Sequence, residues 1–299
     1  MPSRLIVAIS AYNEPARLAE LVDNVRYFID PDELIVYDCS KTGGLTTNLD
    51  VSLCPTSRPL RWGHLAPFFA ETMQWLEKRD VDYDFLVTLH SDQLMIRKGL
   101  AEYLEVQMSE SEYMAPGYLR TDEWCETRIP YLRRFHYGWP RIWGPLFRVD
   151  APSWGYSPGQ IFRKSYSEKA SKFHNIDRLY KLAYRSKILG IEEVFFSTLA
   201  DAMGCNPTRM PEEHGCHQPI VTLPRLLGYL DTPSVYFIHK LTLNESDPVR
   251  LAVAELRRGK TPSAPSGTTV DTEPWPLDEP IPTPGLIEKL KDIYFHFLP

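Results

Sequence analysis

The first hundred residues alternate between short, β-branched apolar runs and longer segments of helical periodicity, and few folds tolerate that alternation. Leu5-Ile6-Val7-Ala8-Ile9 predicts a strand. Asn13-Glu14-Pro15 opens a helix, with proline suited to the first turn and Leu18, Leu21, Val22 and Val25 on one face. Leu34-Ile35-Val36-Tyr37 is a second strand, ending at Asp38. A helix follows from Leu65 to Glu77, with Phe68, Phe69, Met73, Trp75 and Leu76 apolar. Phe85-Leu86-Val87-Thr88-Leu89 is a third strand, running into His90-Ser91-Asp92, and Gly99 to Met108 is helical again. Such alternation implies an α/β fold whose parallel strands are joined by right-handed crossovers. Ligands of these sheets sit beyond the carboxyl ends of the strands, where Asn13, Asp38 and Asp92 fall.

Beyond this region the pattern loosens. Residues 115–190 are rich in Trp, Tyr and Arg, as functional loops often are. Residues 165–203 regain helical periodicity, broken at Gly190. Val235-Tyr236-Phe237-Ile238 is a late strand leading to His239-Lys240, and Val249 to Arg258 is a helix. Seven prolines between 261 and 285 predict an extended arm, and Leu286 to Phe297 an amphipathic helix that docks back. The expected organisation is one domain over 1–260, with a nucleotide-binding half at 1–110 and a catalytic half at 111–260, followed by the arm and helix at 261–299.

A net charge of -6 excludes sequence-independent nucleic-acid binding through a basic surface. No apolar run reaches the roughly 18 residues of a transmembrane helix, and no signal-peptide layout precedes the first strand. Peripheral membrane association stays open. Cys39, Cys54, Cys125, Cys205 and Cys216 are odd in number and scattered, which suits a reducing, cytoplasmic setting.

Four groups of residues carry potential chemistry. Asp38 can accept hydrogen bonds from a base or ribose, or can simply staple a turn. Asp92 stands where paired carboxylates would hold a divalent cation, but it is the single acid there, which argues against an essential metal. Glu192 and Glu193 open a helix after Gly190, where acids suit the dipole and one of them could serve as a general base. Two adjacent acids point in different directions, so one faces a substrate. Lys240 ends a buried strand and could neutralise a departing diphosphate, with Arg225 or Arg250 assisting. Cys205, Glu212, Glu213, His214, Cys216 and His217 match no closed zinc spacing and read as a polar loop.

In order, six segments resemble the core 2 / I-branching N-acetylglucosaminyltransferase family (glycosyltransferase family 14-like), which includes peptide O-xylosyltransferases. They are Val36-Tyr37-Asp38-Cys39-Ser40-Lys41, Trp62-Gly63-His64-Leu65-Ala66, Leu89-His90-Ser91-Asp92-Gln93-Leu94, Ser153-Trp154 with the run to Arg163, Ile191-Glu192-Glu193 with Phe195 to Leu199, and Phe237-Ile238-His239-Lys240-Leu241. The resemblance implies a GT-A-like, Rossmann-type fold with a mixed, mostly parallel sheet. It implies inverting transfer from a UDP-sugar to a glycan hydroxyl, with no metal or other cofactor. The family's base falls on Glu193, beside Glu192. Donor-binding positions fall on Ser10, Asp38, Trp62, Asp92, Arg225, His239 and Lys240, and acceptor-binding positions on Glu126, Arg134 and Trp154. The chain departs from the family in having Glu192 for an Asp, no Gly or Pro in the Asp92 turn, and none of the animal members' disulfide cysteines or Golgi anchor. That pattern implies a microbial-type relative. Two alternatives stay open: a metal-dependent GT-A polysaccharide-type transferase using Asp92, whose family opens with a similar strand, Asn-Glu and helix, and a non-catalytic nucleotide- or glycan-binding protein.

Overall fold

A computed structural model describes residues 3–61, 63–120, 135, 138–211, 220–242 and 244–262. Trp62, Cys125, Glu126, Arg134, the 212–217 cluster, and the arm and helix expected beyond residue 262 lie outside the described residues.

The centre is a seven-stranded mixed sheet. It comprises β1 (Leu5–Ala11), β2 (Glu33–Asp38), β3 (Ser52–Leu53), β4 (Phe85–His90), β6 (Tyr113–Pro116), β9 (Ile161–Arg163) and β10 (Thr208–Met210), in the order β10-β6-β9-β4-β1-β2-β3. The β1, β2, β3 and β4 neighbours pair in parallel, and so do β6 and β10. β9 runs antiparallel between β4 and β6. Two short antiparallel ribbons complete the strands: β5 (Gln93–Met95) with β11 (Phe237–His239), and β7 (Leu119–Arg120) with β8 (Ser153–Trp154).

All seven residues of β1 are buried, as expected of a strand covered on both faces. Its side chains alternate between two cores. Ile6 and Ala8 join Ile35, Tyr37 and the aromatic cluster of Phe68, Phe69, Phe162, Phe195 and Phe196, brought by α2 (Ala66–Lys78), β9 and α7 (Ile191–Ala202). Val7 and Ile9 join Leu34 and Val36 under α1 (Pro15–Phe28), α3 (Leu100–Gln107) and α9 (Pro248–Arg257). Edge and tilted contacts link the first cluster, with Phe69 and Phe196 centroids 5.1 Å apart. Truncating one of these rings to alanine is expected to cost about 3–5 kcal/mol.

The helices and strands of the first hundred residues lie where periodicity places them, to within a few residues. Residues 165–203 divide further than expected, into α5 (Lys164–Lys172), α6 (Ile176–Arg185) and α7. The additional break carries Asn175 in the left-handed region at φ 64, a conformation asparagine tolerates better than most residues. Before α5, the π-helix Trp139–Trp143 and α4 (Gly144–Phe147) stack Trp139, Trp143 and Phe147 with Phe135. α8 (Leu223–Leu230) precedes β11. No described helix is long and apolar enough to cross a membrane.

Candidate functional site

Register fixes one edge of the site. Ser10 pairs across from Tyr37 on one side and from His90 on the other, and Ala11 stands beside Asp38. The ends of β1, β2 and β4 are therefore level, and their following residues share one rim of the sheet.

Asp38 is buried there with both carboxylate oxygens engaged. Oδ1 accepts the Ser40 amide at 2.9 Å and Oδ2 the Leu45 amide at 3.3 Å. Ser40 Oγ in turn accepts the Gly43 amide at 2.9 Å. These bonds hold the loop from 38 to 45, so Asp38 does what a turn-stapling aspartate does. Each oxygen keeps a second lone pair that a ligand donor could use. Beside it, the Ser10 hydroxyl is buried without a hydrogen-bond partner among the described residues.

Asp92 has different company. The β5–β11 ribbon places His239 opposite Gln93, and the Leu241 amide donates to the Asp92 carbonyl at 3.1 Å. His239 Nε2 lies 3.4 Å from Asp92 Oδ2. The Gln93 side chain accepts the His90 amide at 2.7 Å and holds the turn closed. The His90 and His239 rings stand 6.4 Å apart at 86°. One ligand atom from each of His90, Asp92 and His239 lies within 4.8 Å of the others. Burial alone would raise the Asp92 carboxyl, but the imidazoles of His239 and His90, and Arg17, hold it well below the usual carboxylate range. Arg17 projects from the first turns of α1, fixed by Glu14 at 2.8 Å.

The acidic pair sits on α7, which starts from Gly190 at φ 69. Adjacent residues on a helix diverge by about 100°, and the two glutamates do. Glu192 Oε2 accepts the Leu65 amide at 3.1 Å, locking the start of α7 to the start of α2. Glu193 Oε2 accepts the indole N–H of Trp154 at 3.1 Å. Both residues are almost fully buried, at 1% and 2% exposure. The Glu193 backbone is pinned as well, its carbonyl accepting Gly155 N at 3.1 Å and Ser197 Oγ at 2.9 Å. Trp154, an acceptor-binding position by the resemblance, is itself 2% exposed and packs edge-on to Tyr156 at 4.3 Å. Its polar edge is directed at Glu193.

Tyr12 relates the two centres. Burial first, then the fields of Cys39, Glu192 and Asp92, push its phenol far above its ordinary range. It therefore lies within electrostatic reach of both Glu192 and the strand-end Asp92. Its hydroxyl is buried with no hydrogen-bond partner among the described residues.

The remaining basic candidates differ in availability. Lys240 is exposed directly after His239. Arg225 is half-buried on α8. Arg250 is buried, donating to the Thr242 carbonyl at 2.9 Å and paired with Glu20, so its fork is largely committed. Burial, then the charge of Arg17, lowers its pKa.

Sequence patterns did not single out Tyr12, Arg17 or His90 as site residues. Their signal was positional: Tyr12 follows the last residue of β1, His90 ends β4, and Arg17 lies in the opening turns of α1.

No family model and no curated protein matches the chain. Among solved structures, it is similar to the galactosyltransferase LgtC in complex with donor and acceptor sugar analogs. That match has 13% identity over 87% of this chain and 98% of the other, at a TM-score of 0.47. It is also similar to the bifunctional IspDF of Campylobacter jejuni, at 14% identity, 71% and 51% coverage and a TM-score of 0.39. A third is S. aureus TarS, at 18% identity, 61% and 33% coverage and a TM-score of 0.32. These likenesses are weak, and function has to be read from this chain's own side chains.

Proposed function

We propose that this chain is a GT-A-like glycosyltransferase that moves a sugar from a nucleotide donor, UDP-linked by the family resemblance, to a glycan hydroxyl with inversion. The observation that carries this is the buried Glu193 carboxylate, held by the Trp154 indole on the first turn of α7. A general base needs a carboxylate fixed in one rotamer, with a lone pair left for the incoming proton. The Trp154 indole fixes Glu193 in this reading, while Glu192 accepts the Leu65 amide at the start of α2.

In the proposed reaction, Glu193 takes the proton of the acceptor hydroxyl. The acceptor oxygen bonds to the anomeric carbon, and the bond to the diphosphate breaks, its electron pair leaving with the nucleotide. In this reading, Arg17 and the exposed Lys240 would meet that developing charge. Ser10 and Asp38 line the strand-end rim where the nucleoside would lie. The free, buried Cys39, Cys54 and Cys205 support a reducing, cytoplasmic setting.

Glu193→Gln is expected to lower transfer by about 100-fold or more, the scale of a lost general base, with nucleotide affinity retained. Full transfer by that variant would remove Glu193 from the reaction. Binding of UDP by the wild type, with turnover of no sugar nucleotide in a screen, would favour a binding protein instead.

A further inference from the structure

The chain carries a net charge of -6, yet residues 163–187 hold eight basic side chains against Glu168 and Asp177. We propose that the basic face of α6, with the loop beside it, is an acceptor-docking surface for a polyanionic glycan, one whose repeating units bear carboxylate or phosphate groups. This rests on the transferase reading and names the acceptor class for it.

Arg178, Lys181 and Arg185 fall at i, i+3 and i+7 on α6, which puts them on one face, and all three are exposed. At 1.5 Å per residue they span about 10 Å of helix, the reach of a chain rather than of a single anion. Lys187 extends the line past the helix end, and Arg61 joins it from the neighbouring loop. Three contacts bring that loop alongside. The Arg58 guanidinium lies 5.6 Å over the Tyr184 ring, His64 bonds to the Ser186 backbone, and the Gly190 amide donates to the Gly63 carbonyl at 2.7 Å. The line therefore ends at the start of α7, the helix that carries Glu193.

These cations differ from others in the molecule. Arg4, Arg26, Arg79 and Arg250 each meet an acid. Among the described residues, none of the five in the line makes an ion pair. Lys181 and Arg185 repel at i, i+4, and Arg178 stands in the first turn, where the helix dipole disfavours a cation. An anionic chain laid across the face relieves both. The face suits a soluble polyanion rather than a bilayer. A membrane-surface helix turns an apolar side to the lipid, but that side of α6, with Leu179, Tyr180 and Ala183, is buried in the core, the Tyr180 ring 5.8 Å from Phe195 of α7. No exposed large hydrophobic side chain lies within 163–187. The competing account is a merely solvated face, and it predicts no binding.

The test titrates the full chain with oligogalacturonate and with the methyl ester of the same oligomer, which keeps the sugars and removes the charge. Binding of the charged form alone is expected, weakening as salt is raised. A nitroxide on the end of the bound oligomer should broaden amide signals of residues 186–193 as well as those of α6. The triple variant Arg178→Gln, Lys181→Gln, Arg185→Gln should keep its Tm and bind oligogalacturonate about tenfold more weakly or worse. Arg61→Gln with Lys187→Gln, outside the helix, should weaken it too and decides where the triple variant folds poorly. Glu193→Gln should bind as the wild type does, so a surface that fails leaves the glutamate assignment standing, and full transfer by Glu193→Gln leaves the binding result intact. No binding of oligogalacturonate, equal binding of the ester, undiminished binding by the variants, or broadening that misses 186–193 overturns the proposal. Tighter binding of phosphatidylglycerol vesicles, or of a single-stranded oligonucleotide of equal charge, overturns it in favour of a different partner.

Discussion

Asp38 ends β2 and Asp92 lies two residues beyond β4, the two strands that flank β1. In sequence they look alike: an apolar strand, then an acid. In the fold they part company. Asp38 spends both oxygens on amides of its own loop, whereas Asp92 faces two imidazoles and Arg17. The same division recurs on α7, where Glu192 braces two helices and Glu193 meets an indole N–H. A carboxylate satisfied by main-chain amides is architecture; one satisfied by ionisable or aromatic side chains is available for chemistry. Strand-end position alone does not separate the two.

Four measurements would break or sharpen this contrast. The largest effect belongs to the helix pair. If Glu193→Gln costs about 100-fold in transfer, Glu192→Gln should cost far less, since its amide oxygen can still accept the Leu65 N–H. Equal losses in steady-state assays would dissolve the distinction. Next, Glu192→Ala leaves the Leu65 amide without that acceptor and should destabilise the fold by about 1–3 kcal/mol, read by urea unfolding. Asp38→Ala should cost about 1–2 kcal/mol in the same assay, with Asp38→Asn recovering part of it through the oxygen that Ser40 needs. A fully stable Asp38→Ala that no longer binds UDP would instead make Asp38 a ligand contact.

The smallest effect concerns His64, which neighbours the brace. Burial first, then the charge of Arg61, lowers its pKa below 6.5, opposed by a bond with the Ser186 backbone. A folded value below the unfolded one means the unfolded chain takes up more protons. The contribution is thus complete above about pH 6.5 and fades as pH falls through the folded value. His64→Gln should flatten the fall in Tm between neutral and mildly acidic buffer; an unchanged slope would show that His64 is not its source.

What was legible in the sequence followed from local rules. β1, β2 and β4 announce themselves through β-branched runs, and α1 through proline and its periodic leucines, so a strand-end rim carrying Asn13, Asp38 and Asp92 could be anticipated. Long-range pairings could not. Ile161-Phe162-Arg163 is too short to signal an antiparallel strand wedged between β4 and β6. Nothing around His239 indicates that a three-residue ribbon will carry it to Asp92. Trp154 illustrates the same limit: the resemblance assigns it to the acceptor side, and nothing in its local sequence indicates that its indole will donate to Glu193. The divergence of Glu192 and Glu193, by contrast, follows from helix geometry alone.

Gly63 and Gly190 meet where α2 and α7 begin. The Gly190 amide donates to the Gly63 carbonyl at 2.7 Å, and both residues have positive φ, 70 and 69. A Cβ at 63 would fall 2.1 Å from the Leu189 side chain, which would have to shift, and the positive φ strains any other residue there. The glutamates ride on one of those helices. A random screen for inactive alleles should therefore recover position 63 alongside position 193, although the first has no chemistry of its own. An inventory of acids, bases and ligands would pass over it, yet it sets the aim of the residue that such an inventory ranks first.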